Sequence, residues 1–243
     1  MIVGLIPARL KSTRLREKPL IKIDGIEMII HVLKRAQLSK KLDKVIVCTD
    51  SQKILNVVKK NEGEAILTSN KHINGTERIN EVAKKINGKI FVDLQCDEVF
   101  LNPKNLDKLI NFHLKNYFYD IVVPHSEFNS CNNKNIVKIS SNNHGKILYM
   151  SRADIPYNYN NNRKILKKHL DFISFKKKAL HDYCKYKITH NESVESVELL
   201  RAIENNLELG TIKINSDVFS INTKKDLILA KKIMKKCKIR KKY

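Results

Sequence analysis

No apolar stretch in this chain approaches the roughly 18 to 20 residues needed to cross a bilayer, so no membrane insertion is expected. The opening MIVGLIPARL has too short an apolar core for a secretory leader, and no small-residue cleavage site comes after it. The expectation is a cytoplasmic protein. Cysteine is sparse and scattered: Cys48, Cys96, Cys131, Cys184 and Cys237 are odd in number and never form a CxxC pair. That argues against a zinc ribbon or a disulfide framework and leaves reduced thiols. No linker and no internal repeat breaks the 243 residues, so one domain is expected, 1–243, with an inserted lobe at about 125–175. The first apolar run does not lead into a glycine-rich turn either.

Positive charge stands in that place. IPARLKSTRLREKPL, residues 6–20, carries Arg9, Lys11, Arg14, Arg16 and Lys18, which suggests a polyanion held at the mouth of a sheet. The whole chain is basic, with 47 Lys and Arg against 25 Asp and Glu and a formal charge of +22. Such a balance raises a nucleic-acid reading. However, 38 of the basic residues are lysine and 9 arginine, and apart from the tail KKIMKKCKIRKKY they are dispersed. Sequence-specific readers lean on arginine forks. A solvated lysine surface fits better, and no specific nucleic-acid partner is expected.

Short apolar runs alternate with helical periodicity. MIVGLI, KVIVCT, GEAILT and KIFVDLQ read as buried strands. Between them 27–38, 51–61 and 77–86 read as helices, and Pro103 opens another through about Lys115, capped by Asn102. Strand–helix alternation at this spacing implies an α/β fold with a mostly parallel, Rossmann-like sheet in three layers and right-handed crossovers. After Ile121 the pattern changes. IVKISSNNHGKILYM reads as a β-hairpin turning at Asn142–Gly145, which makes the inserted lobe. Further on, 168–174 reads as a strand, 193–205 as a helix, 210–215 as a strand and 223–236 as a closing amphipathic helix.

Ligands bind beyond the carboxyl ends of such strands. Those ends carry Arg9, Arg14, Arg16 and Lys18, then Thr49-Asp50, then TSNKHINGTER (68–78), then Gln95-Cys96-Asp97-Glu98. Cations neutralise a triphosphate, and an aspartate after a buried strand suits Mg²⁺, a hard ion that shares its oxygens with phosphate. Phosphoryl and nucleotidyl transfer rest on this kind of positioning and charge stabilisation.

The motifs PAR-x-x-STRL-x-x-KPL, G-x-x-M-I-x-HV-x-x-RA, TD, TS-x-x-H-x-x-GT-[DE]-R, Q-x-DE and LY-x-SR-x-x-IP resemble, in order and over most of the chain, the 3-deoxy-manno-octulosonate (Kdo) cytidylyltransferases. The resemblance implies a fold of the nucleotide-diphospho-sugar transferase type. It also implies a reaction in which CTP and a 3-deoxy-2-ulosonic acid, Kdo or a Kdo-like sugar, give the CMP-sugar and pyrophosphate, for lipopolysaccharide or another surface glycan. It assigns Arg9, Lys18 and Asp97 to catalysis. CTP would be held by Arg9, Ser12, Thr13, Arg14, Lys18, Thr68, Ser69, Gly75, Thr76, Arg78 and Gln95. The sugar acid would meet Gln95, Arg152, His169 and Glu198, and Mg²⁺ would be held by Asp97 and Asn222. A homodimer, formed partly through the hairpin lobe, is implied as well.

Some positions depart from the family pattern. Asn222 stands where the family has an aspartate, which keeps an oxygen ligand but loses its charge. Cys96 replaces a glycine, Arg16 and Val99 replace prolines, and Glu77 replaces an aspartate. On the sugar side, Ile173 replaces a tyrosine and Leu199 a glutamine, so two hydrogen-bonding groups have become apolar. That points to a modified ulosonic acid, with drift in a compositionally biased sequence as the equal alternative. A homologue that binds nucleotide or a partner with little turnover, and a basic nucleic-acid-binding protein, are the alternative readings.

Overall fold

Seven consecutive buried residues, Ile2–Ala8, form β1, as an apolar run without alternation should when both faces of a strand are covered. The structure is a computed structural model and describes every residue except 12–14, 130–131, 161–164 and 217–218. The chain packs into two compact units, Met1–Asp107 with Asp217–Tyr243, and Lys108–Ser216.

In the first unit a small antiparallel pair, β2 (Lys22–Ile23) and β3 (Ile26–Glu27), leads into α1 (Met28–Gln37). Then come β4 (Lys44–Thr49), α2 (Gln52–Lys60), β5 (Glu64–Leu67), α3 (Gly75–Lys84) and β6 (Ile90–Leu94). These four main strands lie in the order β5-β4-β1-β6, all parallel. β1, β4 and β6 are buried almost throughout, while β5 at the edge is half-exposed.

The helix starts are chemically marked. Ser51 Oγ accepts from the Ile54 amide ahead of α2, and Asn74 Oδ1 accepts from the Glu77 amide at 2.9 Å ahead of α3. With that cap α3 begins at Gly75, two residues before the expected start. α4 (Pro103–Lys115) begins where expected, and Asn102 Oδ1 accepts from the Lys104 amide.

The second unit is built around a strand that sequence reasoning missed, β7 (Ile121–Asn129). Its partners are β12 (Leu209–Lys213), which is parallel, and β10 (Ile165–His169) and β11 (Phe172–Lys176), which are antiparallel. The single strand expected over 168–174 is therefore two. The break falls where Leu170 donates to the Pro124 carbonyl, because proline has no N–H to return and the ladder slips. β8 (Lys138–Ser141) and β9 (Ile147–Ser151) form the expected hairpin. β12 runs beneath the Tyr119 ring, and a Cβ on Gly210 would come within 2.3 Å of it.

Three short helices, α5 (Lys177–Tyr183), α6 (His190–Glu195) and α7 (Leu200–Glu204), complete the unit. α5 was not expected. The helix expected over 193–205 is broken at Ser196, which sits in the left-handed region at φ 50°. The chain then returns to the first unit with α8 (Lys224–Met234). A capping box opens it: Thr223 Oγ1 accepts from the Asp226 amide while Asp226 accepts from the Thr223 amide.

Candidate active site

Four strand ends of the first unit deliver their residues to one rim. β1 ends at Ala8, and Arg9 lies on the loop beyond, donating to the Ile73 carbonyl at 2.9 Å. The chain returns through a short 3₁₀ turn at Lys18–Leu20, which fixes Lys18 at its first position. β6 ends at Leu94, and Gln95, Cys96 and Asp97 form the turn after it. A cavity of about 380 Å³ opens here, lined by Pro7, Ala8, Arg9, Lys11, Lys18, Pro19, Gly75, Arg78, Gln95 and Cys96. Gly75 places the N-terminus of α3 on this wall, where helix N–H groups favour an anion. A Cβ on Gly75 would come within 3.1 Å of the Pro7 ring, so the approach of α3 to the end of β1 leaves little room for a side chain.

Lys18 and Asp97 are joined rather than set at opposite ends of the cleft. Lys18 Nζ lies 2.5 Å from Asp97 Oδ2 and 3.2 Å from Asn222 Oδ1. The side chains of Lys18 and Asp97 are 12% and 16% exposed. Two hard oxygens thus converge on one cationic point, a donor set that suits Mg²⁺. The Ile221 amide donates to the Asp97 carbonyl at 3.3 Å, which ties the segment before α8 to the turn after β6. Asp226 is not a third ligand, since its carboxylate accepts from the Asn222 and Thr223 amides at 2.9 and 2.7 Å. Although burial works against ionisation, these hydrogen bonds hold the Asp226 carboxyl below its ordinary range. Among the described residues no group of three His, Cys, Asp or Glu side chains converges as a metal site, so phosphate oxygens would have to complete the shell.

The loop between β5 and α3 is fastened from below. Arg78, only 2% exposed in its side chain, pairs with Asp50 at 2.9 Å and donates to Thr68 Oγ1 at 2.6 Å and to the Ser69 carbonyl at 3.3 Å. Glu81 accepts from the Ser69 amide at 2.9 Å and bonds His72 Nε2 at 2.7 Å. Burial raises the Glu81 pKa, but the bonds from His72, Ser69 and Lys85 outweigh it and bring the carboxyl down to about 2. Sequence reasoning missed Glu81, whose position on α3 carries no local motif. It also missed Asp93, a buried acid on β6 that accepts from Gln95 Nε2 at 3.2 Å and sets the direction of that amide. Thr76 is buried in the first turn of α3. Cys96 lines the cleft, and burial, followed by the Asp97 charge, pushes its thiol up to about 12. Ser12, Thr13 and Arg14 lie outside the described residues.

Arg152, His169 and Glu198 fall in the second unit. Arg152 commits its guanidinium to three backbone carbonyls, those of Glu195 (2.7 Å), Lys134 (3.0 Å) and Ser196 (3.0 Å). His169 is the cross-strand partner of His125, and its Nδ1 lies 3.3 Å from Asp171. Its buried Nε2 has no partner among the described residues. Glu198 is exposed, and its backbone carbonyl accepts from Tyr183. Leu199 is buried, so packing alone accounts for its apolar character, whereas Ile173 is half-buried.

The sequence profile of the family described as Cytidylyltransferase matches residues 3–214. A 3-deoxy-manno-octulosonate cytidylyltransferase from Chlorobium phaeobacteroides is 34% identical over 247 aligned positions, covering 96% of this chain and 97% of that protein. One of the same name from Rickettsia canadensis is 36% identical and covers 93% of both chains. Among solved structures, a CMP:2-keto-3-deoxy-manno-octonic acid synthetase complexed with CTP superposes with a TM-score of 0.93 at 28% identity, covering 97% of this chain and 98% of the other.

Proposed function

The chain belongs to the cytidylyltransferase family, and from that premise we infer that it transfers the cytidylyl group of CTP to a 3-deoxy-2-ulosonic acid of the Kdo class, releasing pyrophosphate. The observation that carries this reading is the cationic cleft at the carboxyl ends of parallel strands, with the Asp97 carboxylate beside Lys18. Relatives that span nearly the whole chain carry the Kdo cytidylyltransferase name.

In the reaction the anomeric hydroxyl of the sugar attacks the α-phosphorus of CTP. A P–O bond forms to the sugar oxygen, the bridging P–O bond between the α- and β-phosphates breaks, pyrophosphate leaves with that electron pair, and the hydroxyl proton passes to a phosphate oxygen. Arg9, Lys11 and Lys18 line the cleft and can take the triphosphate oxygens, with the first turn of α3 at Gly75 offering its amides. Gln95, oriented by Asp93, presents a fixed amide to the nucleoside. Arg78 acts from behind this wall by holding Thr68 and Ser69 in place. Asp97 and Asn222 are the residues that would hold Mg²⁺, which would neutralise phosphate charge and orient the leaving group. On the second unit His169, whose Nε2 has no partner among the described residues, is the group held ready for a sugar hydroxyl. The protein is proposed to work as a homodimer, with the apolar Leu148 and Ile165 exposed on its hairpin lobe.

The test is pyrophosphate release from CTP and Mg²⁺ across a panel of Kdo and amino- or deoxy-substituted analogues. Turnover is expected, and Asp97→Asn should lower kcat by about 10²–10³, the scale of losing one preorganised charge-stabilising group. Absence of release with every sugar acid would favour the low-turnover homologue. If Asp97→Asn keeps full turnover, the metal-binding role of that carboxylate is wrong. Kdo as the best substrate would remove the modified-sugar reading drawn from Ile173 and Leu199.

A further inference from the structure

We propose that Lys18 is the resident counter-cation of the Asp97–Asn222 oxygen pair, so that a divalent metal ion enters this site only together with the nucleotide, whose phosphates draw the ammonium away. The proposal rests on the CTP reading above and adds an order of binding to it.

Three observations support it. Lys18 Nζ touches both oxygens, at 2.5 and 3.2 Å, and so occupies the point where a cation would be coordinated. The backbones that carry these oxygens are held without its help. The Ile221–Asp97 backbone bond fixes one side, and the Asp226 carboxylate pins the Asn222 and Thr223 amides on the other. Finally, the charges of the contact itself balance before any metal arrives. Asp97 contributes −1, Asn222 nothing and Lys18 +1. Asp226 stays anionic close by, but its carboxylate is turned to the Asn222 and Thr223 amides rather than to this point, and Glu17 is paired with Lys53. A doubly charged ion approaching the seated ammonium meets repulsion at a half-buried site where screening is reduced.

A triphosphate in the cleft changes the balance. Lys18 lines that cavity as well as touching Asp97, so its long side chain has anionic partners on two sides once CTP is bound. Its departure leaves two oxygens, borne on tied backbones, between which a metal ion carried on the phosphates can settle. An acid at position 222 would leave the pair one charge more negative and remove this dependence.

The test is direct binding of Mn²⁺, read from the electron-spin-resonance signal of the free ion, with no nucleotide present. Wild type should bind weakly. Lys18→Met and Asn222→Asp should each bind at least about tenfold more tightly, the effect of changing one neighbouring charge under partial screening. Adding Asp97→Asn to Lys18→Met should abolish the gain. Asn222→Asp is nearly isosteric, so the test survives if Lys18→Met folds poorly. Wild type binding Mn²⁺ as tightly as either single variant would overturn the proposal. Failure to turn over CTP with any sugar acid would sink the functional reading and leave this measurement interpretable.

Discussion

Arg152 shows how a residue assigned to a substrate can have a second duty. Its fork ties Lys134, Glu195 and Ser196 together, and its own backbone is held in turn. The Glu195 carboxylate accepts from its amide at 2.8 Å, and the wholly buried Lys138 donates to its carbonyl at 2.5 Å. Arg152→Ala should therefore destabilise the protein by about 2 kcal/mol, the scale of hydrogen bonds to a charged group, read by denaturant unfolding. A raised KM for the sugar acid with unchanged stability would show the opposite division of labour. Lysine cannot reproduce three directed donors from one plane, so Arg152→Lys should recover only part of the loss. The thiols give a second residue-scale prediction. Burial raises the pKa of Cys48 and Cys96, while at Cys237 it is outweighed by Arg35, whose Nη2 lies 2.9 Å from Sγ and helps hold the thiol below its ordinary value. Alkylation at mildly alkaline pH, mapped by mass spectrometry, should mark Cys237 before Cys48 or Cys96.

At the scale of elements, Ser196 separates α6 from α7 in a conformation that costs an L-residue roughly 1–2 kcal/mol. Ser196→Gly should leave stability unchanged or raise it by up to about 1 kcal/mol in thermal unfolding, whereas a β-branched residue there should lower it. Gly210→Ala should cost roughly 1–3 kcal/mol, because the new methyl meets the Tyr119 ring rather than a flexible chain end. These two sites also mark how far the sequence could be read. In the first unit, buried parallel strands leave uninterrupted apolar runs, so β1, β4 and β6 were legible; β5 was found from its short apolar run although the edge leaves it half-exposed, and the helices announced by Ser51, Asn102 and Thr223 were legible too. In the second unit β7 contains Pro124 and runs from apolar to polar, and so carries neither a buried nor an alternating signature. The break at Ser196 leaves no mark, since serine is ordinary inside or outside a helix. The site was legible as a set of strand ends. The pairing of Asp97 with Asn222 came only from the family resemblance, and that Lys18 bridges them was not legible, because it depends on contacts between positions 18, 97 and 222.

For the molecule as a whole, stability should depend on pH through His113. Both of its ring nitrogens are engaged, Nδ1 with Ser174 Oγ at 2.6 Å and Nε2 with the Tyr119 carbonyl at 3.1 Å. Burial brings its pKa down to about 4. The unfolded chain, with a histidine near its ordinary value, binds more protons between that value and 4. Stability is therefore full above the ordinary histidine range and falls as the pH drops through it. From pH 7 to pH 5 the His113 share of the loss should be about 2 kcal/mol by linkage; His125, also brought down to about 4 by burial, adds to it, so in denaturant titrations His113→Gln should reduce the drop without removing it. The proposed dimer predicts a light-scattering mass of about twice the 28.2 kDa chain, and replacing Leu148 and Ile165 with lysine should return it to the monomer mass. The return of the chain to its first unit also bears on how the protein is made. Ile221 and Asn222 come from beyond the second unit in sequence, yet Ile221 ties the turn that carries Asp97 and Asn222 meets Lys18 there. A nascent chain on the ribosome therefore lacks part of the proposed metal-binding cluster until the segment beyond the second unit emerges, and translation stalled before that point should yield a polypeptide without turnover.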